Sequence, residues 1–231
     1  MNLTRLFETQ ANLDENIMKQ HPELRAQENL SWKILALQVE LAECANEWRG
    51  FKKWSMDQKP RVWERIKCPS CEKKGYERGK PPVDPIKGAH ALGNHWYHCD
   101  KCAGFLVIDI NPMLVEYVDC LHFILSIALE KIDYCGIKLE IREIAHSAFS
   151  QPPVDEVSLI SQFNGLFLDI GILYDAAVDK AFDYQTVEDA YTNVWRTFVG
   201  LGEMLGFTWP QIEAAYYAKN EVNHERQLAG Y

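Results

Sequence analysis

Apolar residues recur every three or four positions through most of this chain, which is the period of an amphipathic α-helix. The clearest stripe follows Ser31, a residue type that often caps a helix N-terminus. Its members are Ile34, Leu37, Leu41, Ala45, Trp48 and Phe51. The pattern predicts one long helix from Ser31 to Trp54.

Four more segments show the same period, and the N-terminal segment brings the prediction to five or six long helices. These segments are 113–132, 158–182, 186–206 and 208–227. Pro112 stands where a proline suits the first helical turn. Thr208 and Gln211 have the spacing of a capping box, in which two side chains satisfy free backbone N–H groups at a helix start.

The helical period is interrupted between residues 57 and 110. Residues 79–88 are rich in proline and glycine and indicate a loop. The stretches HWYHC (95–99) and GFLVIDI (104–110) are typical of short strands. We therefore expect an all-α domain formed by residues 1–56 and 111–231, with a small β-rich subdomain inserted at 57–110.

Composition narrows the classes of function. The 231 residues carry a net charge of −9, which disfavours a protein that coats nucleic acid. The insert differs, with ten Lys and Arg against seven Asp and Glu.

The apolar runs are too short to span a membrane, and the first residues do not resemble a signal peptide. We expect a cytoplasmic protein with reduced cysteines, of which Cys44, Cys120 and Cys135 belong to the core.

The insert contains two CxxC pairs separated by 27 residues. They consist of Cys68, Cys71, Cys99 and Cys102. Four thiolates at this spacing predict a tetrahedral Zn²⁺ site, and a sphere closed by four protein ligands is structural. Thiols without metal are the alternative interpretation. Because the insert is mildly basic, contact with nucleic acid or a protein partner stays open, although zinc that folds a small insert is the favoured hypothesis.

Two pairs of carboxylates stand at helical i, i+3 spacing. Glu40 and Glu43 lie in the first predicted long helix, and Glu116 and Asp119 open the next. Each pair therefore projects from one face of its helix. If the two helices pack together, the four carboxylates form a site suited to Mg²⁺, which prefers oxygen ligands. The alternative is two solvated acidic surfaces.

The C-terminal segment adds cations to this acidic protein. Lys219, Asn223 and Arg226 recur at helical spacing, and the chain continues to Tyr231. Lysine and arginine suit the charge that a metal-bound phosphate chain exposes. A solvated, frayed helix end is the alternative.

Together these segments resemble the all-α dimeric dUTPase family, which is related to the MazG-like nucleoside triphosphate pyrophosphatases. The resemblance rests on ELAECANEWRGFKKW (40–54), EYVDCLHF (116–123) and the motif from Lys219 to Tyr231. QANLD (10–14) is similar to the family's uracil-side motif, with Asp14 where asparagine is more usual. The acidic pairs are shared with relatives of other specificity, whereas the C-terminal motif is more particular to dUTPases.

The resemblance implies a Mg²⁺-dependent homodimer with the all-α NTP pyrophosphatase fold, which converts dUTP, and also dUDP, to dUMP. It implies two or more Mg²⁺ ions on the four carboxylates and a catalytic role for Glu43 or Glu40. Substrate contacts would come from a further set of residues. These are Gln10, Asp14, Trp54, Lys219, Asn223, Arg226 and Tyr231.

One feature departs from the family pattern, because 72 residues separate Glu43 from Glu116 where a short connection is usual. An insertion in a loop costs little closure entropy. The departure leaves the role of Trp54 open. Two other functions compete with a dUTPase: a related pyrophosphatase acting on another nucleotide such as dCTP, and a zinc-ribbon binding module on a helical scaffold.

Overall fold

A computed structural model of the chain describes residues 2–73, 99, 101–102, 105–134, 137–144, 147–178 and 184–230. The chain divides into two compact units. We call residues 1–60 and 113–231 the helical unit, and residues 61–112 the cysteine unit.

The described residues form eight α-helices, two 3₁₀ turns and two small sheets, which confirms the all-α fold class with a small β insert. The helices are α1 (Leu3–Gln20), α2 (Leu30–Trp48), α3 (Pro69–Lys73), α4 (Pro112–Ala128), α5 (Ile141–Ile144), α6 (Leu159–Val178), α7 (Tyr184–Met204) and α8 (Trp209–Leu228). The 3₁₀ turns are Pro22–Ala26 and Ala148–Ser150. The strands are β1 (Glu64–Lys67), β2 (Val107–Ile110), β3 (Lys131–Tyr134) and β4 (Ile137–Glu140). None of the described helices combines the length and apolar character needed to cross a bilayer.

Helix α2 begins and ends earlier than its apolar stripe predicts. Its N-cap residue is Asn29, so the prediction of Ser31 as the cap is wrong. The helix ends because Arg49 adopts the left-handed conformation with φ 64°, a backbone state that terminates helices. Phe51 and Trp54 therefore lie beyond the helix, although they continue its apolar spacing.

The starts of α4 and α8 match the sequence signals. Helix α4 begins at Pro112, whose missing N–H is not needed in a first turn. At the start of α8, the backbone N–H of Thr208 donates to the side chain of Gln211 at 2.9 Å, as part of a complete capping box. These signals set where two helices begin: α4, which carries Glu116 and Asp119, and α8, which carries Lys219, Asn223 and Arg226.

The helix predicted over residues 113–132 stops at Ala128, and a hairpin follows. Strands β3 and β4 pair antiparallel with Ile132 opposite Leu139. Both of these side chains pack against the core of the helical unit. Ile132 thus packs against the core from a strand. Its apolar spacing alone does not distinguish such a strand from a continuation of the helix.

The core of the helical unit fixes the position of α4 against α7. The ring of Tyr117 stacks on Phe198 with centroids 4.3 Å apart, and its hydroxyl donates to the Phe198 carbonyl at 3.0 Å. Gly202 permits this approach, because a Cβ there would lie 2.4 Å from the Tyr117 hydroxyl. Cys44 and Cys120 are buried in the same core, as predicted, whereas Cys135 lies outside the described residues.

The cysteine unit contains the antiparallel pair β1–β2, with Glu64 opposite Ile110. Strand β2 lies within the stretch 104–110 that the sequence predicts as a strand, and β1 has no signal in the sequence analysis. The other predicted strand, 95–99, lies outside the described residues except for Cys99. The short helix α3 carries Cys71.

Candidate functional site

Three glutamates from two helices meet in the helical unit. Glu40 and Glu43 lie one turn apart on α2, and Glu116 lies in the first half of α4. One carboxylate oxygen from each of the three lies within 4.8 Å of the others. The i, i+3 spacing on α2 places both of its carboxylates on the side that faces α4. Oxygen ligands this close together can share a hard divalent cation.

The electrostatics of this cluster favour uptake of positive charge. Burial raises the pKa of Glu40 to about 7, and the neighbouring Asp119, Glu43 and Glu116 add to that rise. Burial likewise raises the pKa of Glu116 to about 7, together with the charge of Asp119. A carboxyl group keeps its proton near neutral pH when too little positive charge lies nearby to stabilise the ionised form. A divalent cation would supply that charge.

Asp119 completes the second acidic pair and joins it to the C-terminal helix. It is buried and contacts the ammonium of Lys219 from α8. Burial raises the pKa of Asp119, and the charge of Lys219 opposes this effect. The structure thus brings a residue of the basic motif directly to the acidic residues.

A cavity of about 360 Å³ opens beside this ion pair, within the size range of small-molecule sites. Helices α1, α2, α4 and α8 all contribute to its wall. Among its lining residues are Gln10, Asp14, Glu40, Asp119, Lys219, Asn223 and Arg226. One cavity therefore brings together residues from the segment 10–14, from both acidic pairs and from the C-terminal motif, which are widely separated along the sequence.

One part of the cavity wall is a hydrogen-bonded polar network. The side-chain amide nitrogen of Gln10 donates to Asp14 Oδ1 at 2.7 Å. The Gln10 oxygen accepts from the Tyr216 hydroxyl at 2.9 Å and lies 2.9 Å from His122 Nδ1. Ser126 donates to Asp14 Oδ2 at 2.7 Å. The network fixes the orientation of each of these polar groups.

His122 is buried in this network and stacks on Tyr216 with ring centroids 4.1 Å apart. Burial, with the positive charge of Lys219, lowers the pKa of His122 to about 3. The imidazole is therefore neutral at physiological pH. Its Nε2 atom has no hydrogen-bond partner among the residues that the structure describes.

Lys33 is a buried cation at the same wall, only 3% exposed. Its ammonium lies 3.5 Å from Asp14 and also binds Glu130. The sequence analysis missed Lys33, His122 and Ser126. A signal did exist for the last two, since they follow Asp119 by three and seven positions and so share its helical face.

Three predicted site residues lie elsewhere or outside the described part. Trp54 does not line the cavity; its side chain is 78% exposed and packs edge-on against Phe51. Tyr231 lies outside the described residues. Glu43 is exposed and reaches the cavity only through its neighbour Glu40.

The cysteine unit holds a second cluster of metal-ligand type. Cys68, Cys71, Cys99 and Cys102 are buried, and their sulfur atoms lie within 4.8 Å of one another. Cys68 Sγ is 3.7 Å from Cys99 Sγ, and Cys71 Sγ is 3.5 Å from Cys102 Sγ. Tetrahedral Zn²⁺ with ordinary zinc–sulfur bonds separates its sulfur ligands by about 3.8 Å, so the four thiols fit zinc.

Comparison with known families gives one match over most of the chain. A family model described as dUTPase matches residues 2–68 and 107–231. The unmatched stretch between these two segments contains three of the four clustered cysteines. No curated protein and no solved structure shows significant similarity to the chain.

Proposed function

Because the chain belongs to the all-α dUTPase family, we propose that it is a Mg²⁺-dependent enzyme that hydrolyses dUTP to dUMP and pyrophosphate. The observation that supports this most strongly is the meeting of Glu40, Glu43 and Glu116 beside a cavity that Lys219 also lines. On the same basis of family membership, we propose that dUDP is also a substrate, since family members hydrolyse it.

We propose that Glu40, Glu43, Glu116 and Asp119 hold two or more Mg²⁺ ions. The donor set consists entirely of carboxylate oxygens, which suit Mg²⁺ better than softer metals. The raised pKa values of Glu40 and Glu116 are consistent with a site that needs cations at neutral pH. When bound, Mg²⁺ neutralises phosphate charge and lowers the pKa of a coordinated water.

Glu43 is the best placed general base in this proposal. It is the exposed member of the glutamate cluster, so water reaches it more readily than it reaches Glu40. A base that orients a water molecule and accepts its proton allows in-line attack on phosphorus without a covalent intermediate. Proton transfer to Glu43 and release of pyrophosphate complete the reaction.

The phosphate chain is assigned to Lys219, Asn223 and Arg226, which line the cavity beside Asp119. Lys219 already neutralises Asp119 and can exchange this contact for one with a phosphate oxygen when cations bind the carboxylates. The nucleobase is assigned to the polar network that includes Gln10 and Asp14, which also line the cavity. Trp54 and Tyr231 stay in the proposal only by resemblance to the family.

For the cysteine unit we propose one structural Zn²⁺. Four buried thiols supply a complete tetrahedral set, which leaves no open position for substrate or water. The unit is small, and a metal is a common substitute for the core that such a unit lacks. The zinc therefore folds the insert, and catalysis belongs to the helical unit.

We also propose that the protein is a homodimer, joined through an apolar surface of α2 and α6. This surface consists of Trp32, Leu35, Val39, Ile160, Leu168, Ile172 and Tyr174, all exposed. Leu35 and Leu168 are the most exposed of these side chains, at 60% and 64%. Exposed apolar side chains grouped on one surface are typical of interaction sites, and a two-fold axis lets such a surface bury itself against its copy.

The activity is tested with purified protein, Mg²⁺ and each of the four common dNTPs plus dUTP. Release of dUMP and pyrophosphate from dUTP, with loss of activity when Mg²⁺ is omitted, is the expected result. Absence of dUTP turnover under these conditions would exclude a dUTPase. Hydrolysis of some other nucleotide alone would instead assign the cavity to the related pyrophosphatases.

A further inference from the structure

One side of the β1–β2 pair in the cysteine unit takes no part in the proposed reaction or in holding zinc. Ile108 packs against the buried cysteines, and Ile66 lies opposite it in the ladder. Because side chains alternate along a strand, the neighbours of these isoleucines project from the other side of the sheet. On β1 these neighbours are Arg65 and Lys67, and both are exposed. We call this second side the outer face.

Trp63 is an exposed aromatic residue at the outer face. Its side chain is 61% exposed. The guanidinium of Arg65 lies 5.4 Å from the centroid of its ring, and the Trp63 side chain also hydrogen-bonds to Asp109. Asp109 accepts from Arg65 Nε at 2.7 Å and from Arg65 Nη2 at 3.1 Å. These contacts hold an exposed indole ring in a defined orientation beside a cation.

The outer face also offers positive charge. Lys67 lies 3.6 Å from Glu72, but both side chains are more than 60% exposed, and an ion pair so exposed contributes little. Lys67 can therefore exchange this contact for another anion. Arg61, two residues before Trp63, is a further exposed cation of the same unit.

The distribution of charge along the chain limits what such an anion can be. Residues 57–110 hold ten Lys and Arg against seven Asp and Glu, whereas the rest of the chain holds fourteen against twenty-six. A polyanion is repelled by most of the protein and attracted only to the cysteine unit. A short stretch of a polyanion thus fits better than one that wraps the whole surface.

The aromatic ring identifies the polyanion. Single-stranded nucleic acid exposes base faces that stack on aromatic side chains, and its phosphates bind the neighbouring cations. The bases of a duplex are already stacked on one another and do not reach a single indole ring. An acidic peptide or an anionic lipid surface would use the cations but has no base to stack on Trp63.

We propose that the outer face binds a short stretch of single-stranded nucleic acid, with a base stacked on Trp63 and phosphates held by Arg65 and Lys67. The outer face shares no residue with the cavity of the helical unit. The inference therefore goes beyond the proposed hydrolysis and does not depend on it.

The experiment measures the fluorescence anisotropy of a labelled oligothymidylate, about 12 nucleotides long, mixed with the purified full chain in low-salt, Mg²⁺-free buffer. We expect a micromolar Kd that weakens with salt at a logarithmic slope of about −2, because each of about three cations contributes about 0.7 on a single strand. A duplex of the same length should bind at least about tenfold more weakly, since its bases are not free to stack. Absence of binding at low salt, or equal binding of the duplex, would overturn the proposal.

Two additions locate the strand and identify its class. Saturating dUMP should leave the affinity unchanged, whereas loss of binding with dUMP would place the strand in the helical unit and contradict the inference. Binding to vesicles of phosphatidylglycerol and phosphatidylcholine without binding to the oligonucleotide would replace it with a membrane surface. An oligouridylate of the same length should bind within about tenfold, because base faces and phosphates are common to both strands. A larger preference for either strand would still support the outer face and identify its natural ligand.

Trp63→Ala should weaken binding by about tenfold or more, and Trp63→Phe, which keeps an aromatic face, should bind within about threefold of wild type. Retained zinc and unchanged dUTP turnover show that the variants are folded. A folded Trp63→Ala protein that binds as wild type would remove stacking from the proposal.

Lys67→Gln tests the charges without touching the ring. It should reduce the salt slope by about 0.7. Glu64→Gln is the matched control, because it changes one charge on the same strand at an exposed position on the opposite side of the sheet. It should alter the affinity by less than about threefold, as expected when only the outer face contacts phosphate. An unchanged slope in Lys67→Gln would contradict a phosphate contact there.

The two proposals fail separately. Strand binding without dUTP hydrolysis would remove the proposed function and leave this inference. Hydrolysis of dUTP without strand binding would remove only this inference.

Discussion

The ammonium of Lys219 on α8 contacts the carboxylate of Asp119 on α4, although the two residues are 100 positions apart in the sequence. Both side chains are mostly buried. Through this contact the C-terminal basic motif reaches the acidic residues without any intervening group. If Lys219 neutralises Asp119 in the free enzyme and a phosphate in the substrate complex, it links substrate binding to metal binding.

Lys219→Met should therefore lower kcat/KM for dUTP by about 10²-fold or more, because breaking a buried charged pair costs about 2–5 kcal/mol. The variant also leaves Asp119 without its cation, so its melting temperature should fall in Mg²⁺-free buffer and recover with Mg²⁺. Steady-state kinetics and thermal melts at two Mg²⁺ concentrations measure both effects. Lys138→Met, an exposed lysine on β4, is the control and should match wild type.

Glu43→Gln should lower kcat by several orders of magnitude while the protein stays folded. The substitution removes the base and one metal ligand but leaves the size of the side chain unchanged. Single-turnover hydrolysis of dUTP, with circular dichroism as the test of folding, measures the result. Glu8→Gln, on an exposed position of α1, should have no effect. A fully active Glu43→Gln enzyme would show that another group activates the water.

The raised pKa values of Glu40 and Glu116 predict a pH dependence of stability. Both are about 7 in the folded protein against about 4.5 for the ordinary group. Between these pH values the folded state holds protons that the unfolded state has released, so this contribution to stability declines as the pH rises. In Mg²⁺-free buffer without chelator, Glu40→Gln should raise Tm by about 2–4 °C at pH 8, corresponding to about 1 kcal/mol.

At pH 5 the same variant should differ little from wild type, since Glu40 is then protonated in the folded protein. Saturating Mg²⁺ should reverse the ranking at pH 8, because the variant lacks a ligand. Scanning calorimetry over this pH range separates the cases. A Tm difference that does not change with pH would contradict the assignment of the shift to Glu40.

The purified chain should contain one zinc atom, measured by elemental analysis. Cys71→Ser should lose most of this zinc, since three thiolates bind zinc much more weakly than four. Cys120→Ala removes a buried thiol of the helical unit and should retain the metal. Because the proposed zinc is structural, Mg²⁺ alone should restore dUTP turnover after brief treatment with a chelator and its removal. A requirement for zinc in that restoration would contradict a purely structural role.

Leu35→Glu and Leu168→Glu should each convert the proposed dimer to a monomer, because either substitution places a buried charge within the proposed apolar contact. Light scattering coupled to gel filtration measures the mass directly. Glu8→Gln, which lies outside this surface, should remain dimeric. Wild-type protein that is monomeric at micromolar concentration would remove the dimer from the proposal.

The sequence predicted the long helices and the shared helical face of Glu40 and Glu43. Apolar periodicity predicts the long helices because each buries one stripe, and the spacing of Glu40 and Glu43 is enough to place both on one side of α2. The end of α2 was not predictable in this way. Phe51 and Trp54 keep the apolar spacing, while the left-handed backbone at Arg49 has already ended the helix.

The polar network shows a different limit of sequence reasoning. Lys33 stands within an otherwise apolar stretch, where a lysine ordinarily extends to solvent. Its burial depends on Asp14 from α1 and Glu130 from the turn after α4, and no local pattern connects the three. Residues that interact only through tertiary packing carry no periodic signal.

The strand pair in the cysteine unit has a consequence for how the chain tolerates changes in length. Strands β1 and β2 run side by side, with Glu64 opposite Ile110, so the chain leaves this ladder beside the place where it entered. Whatever lies between the two strands can grow, shrink or be exchanged without altering the span that it must close. A tight turn in place of residues 68–106 would meet the same two ends, which makes this position a natural point for grafting other small modules.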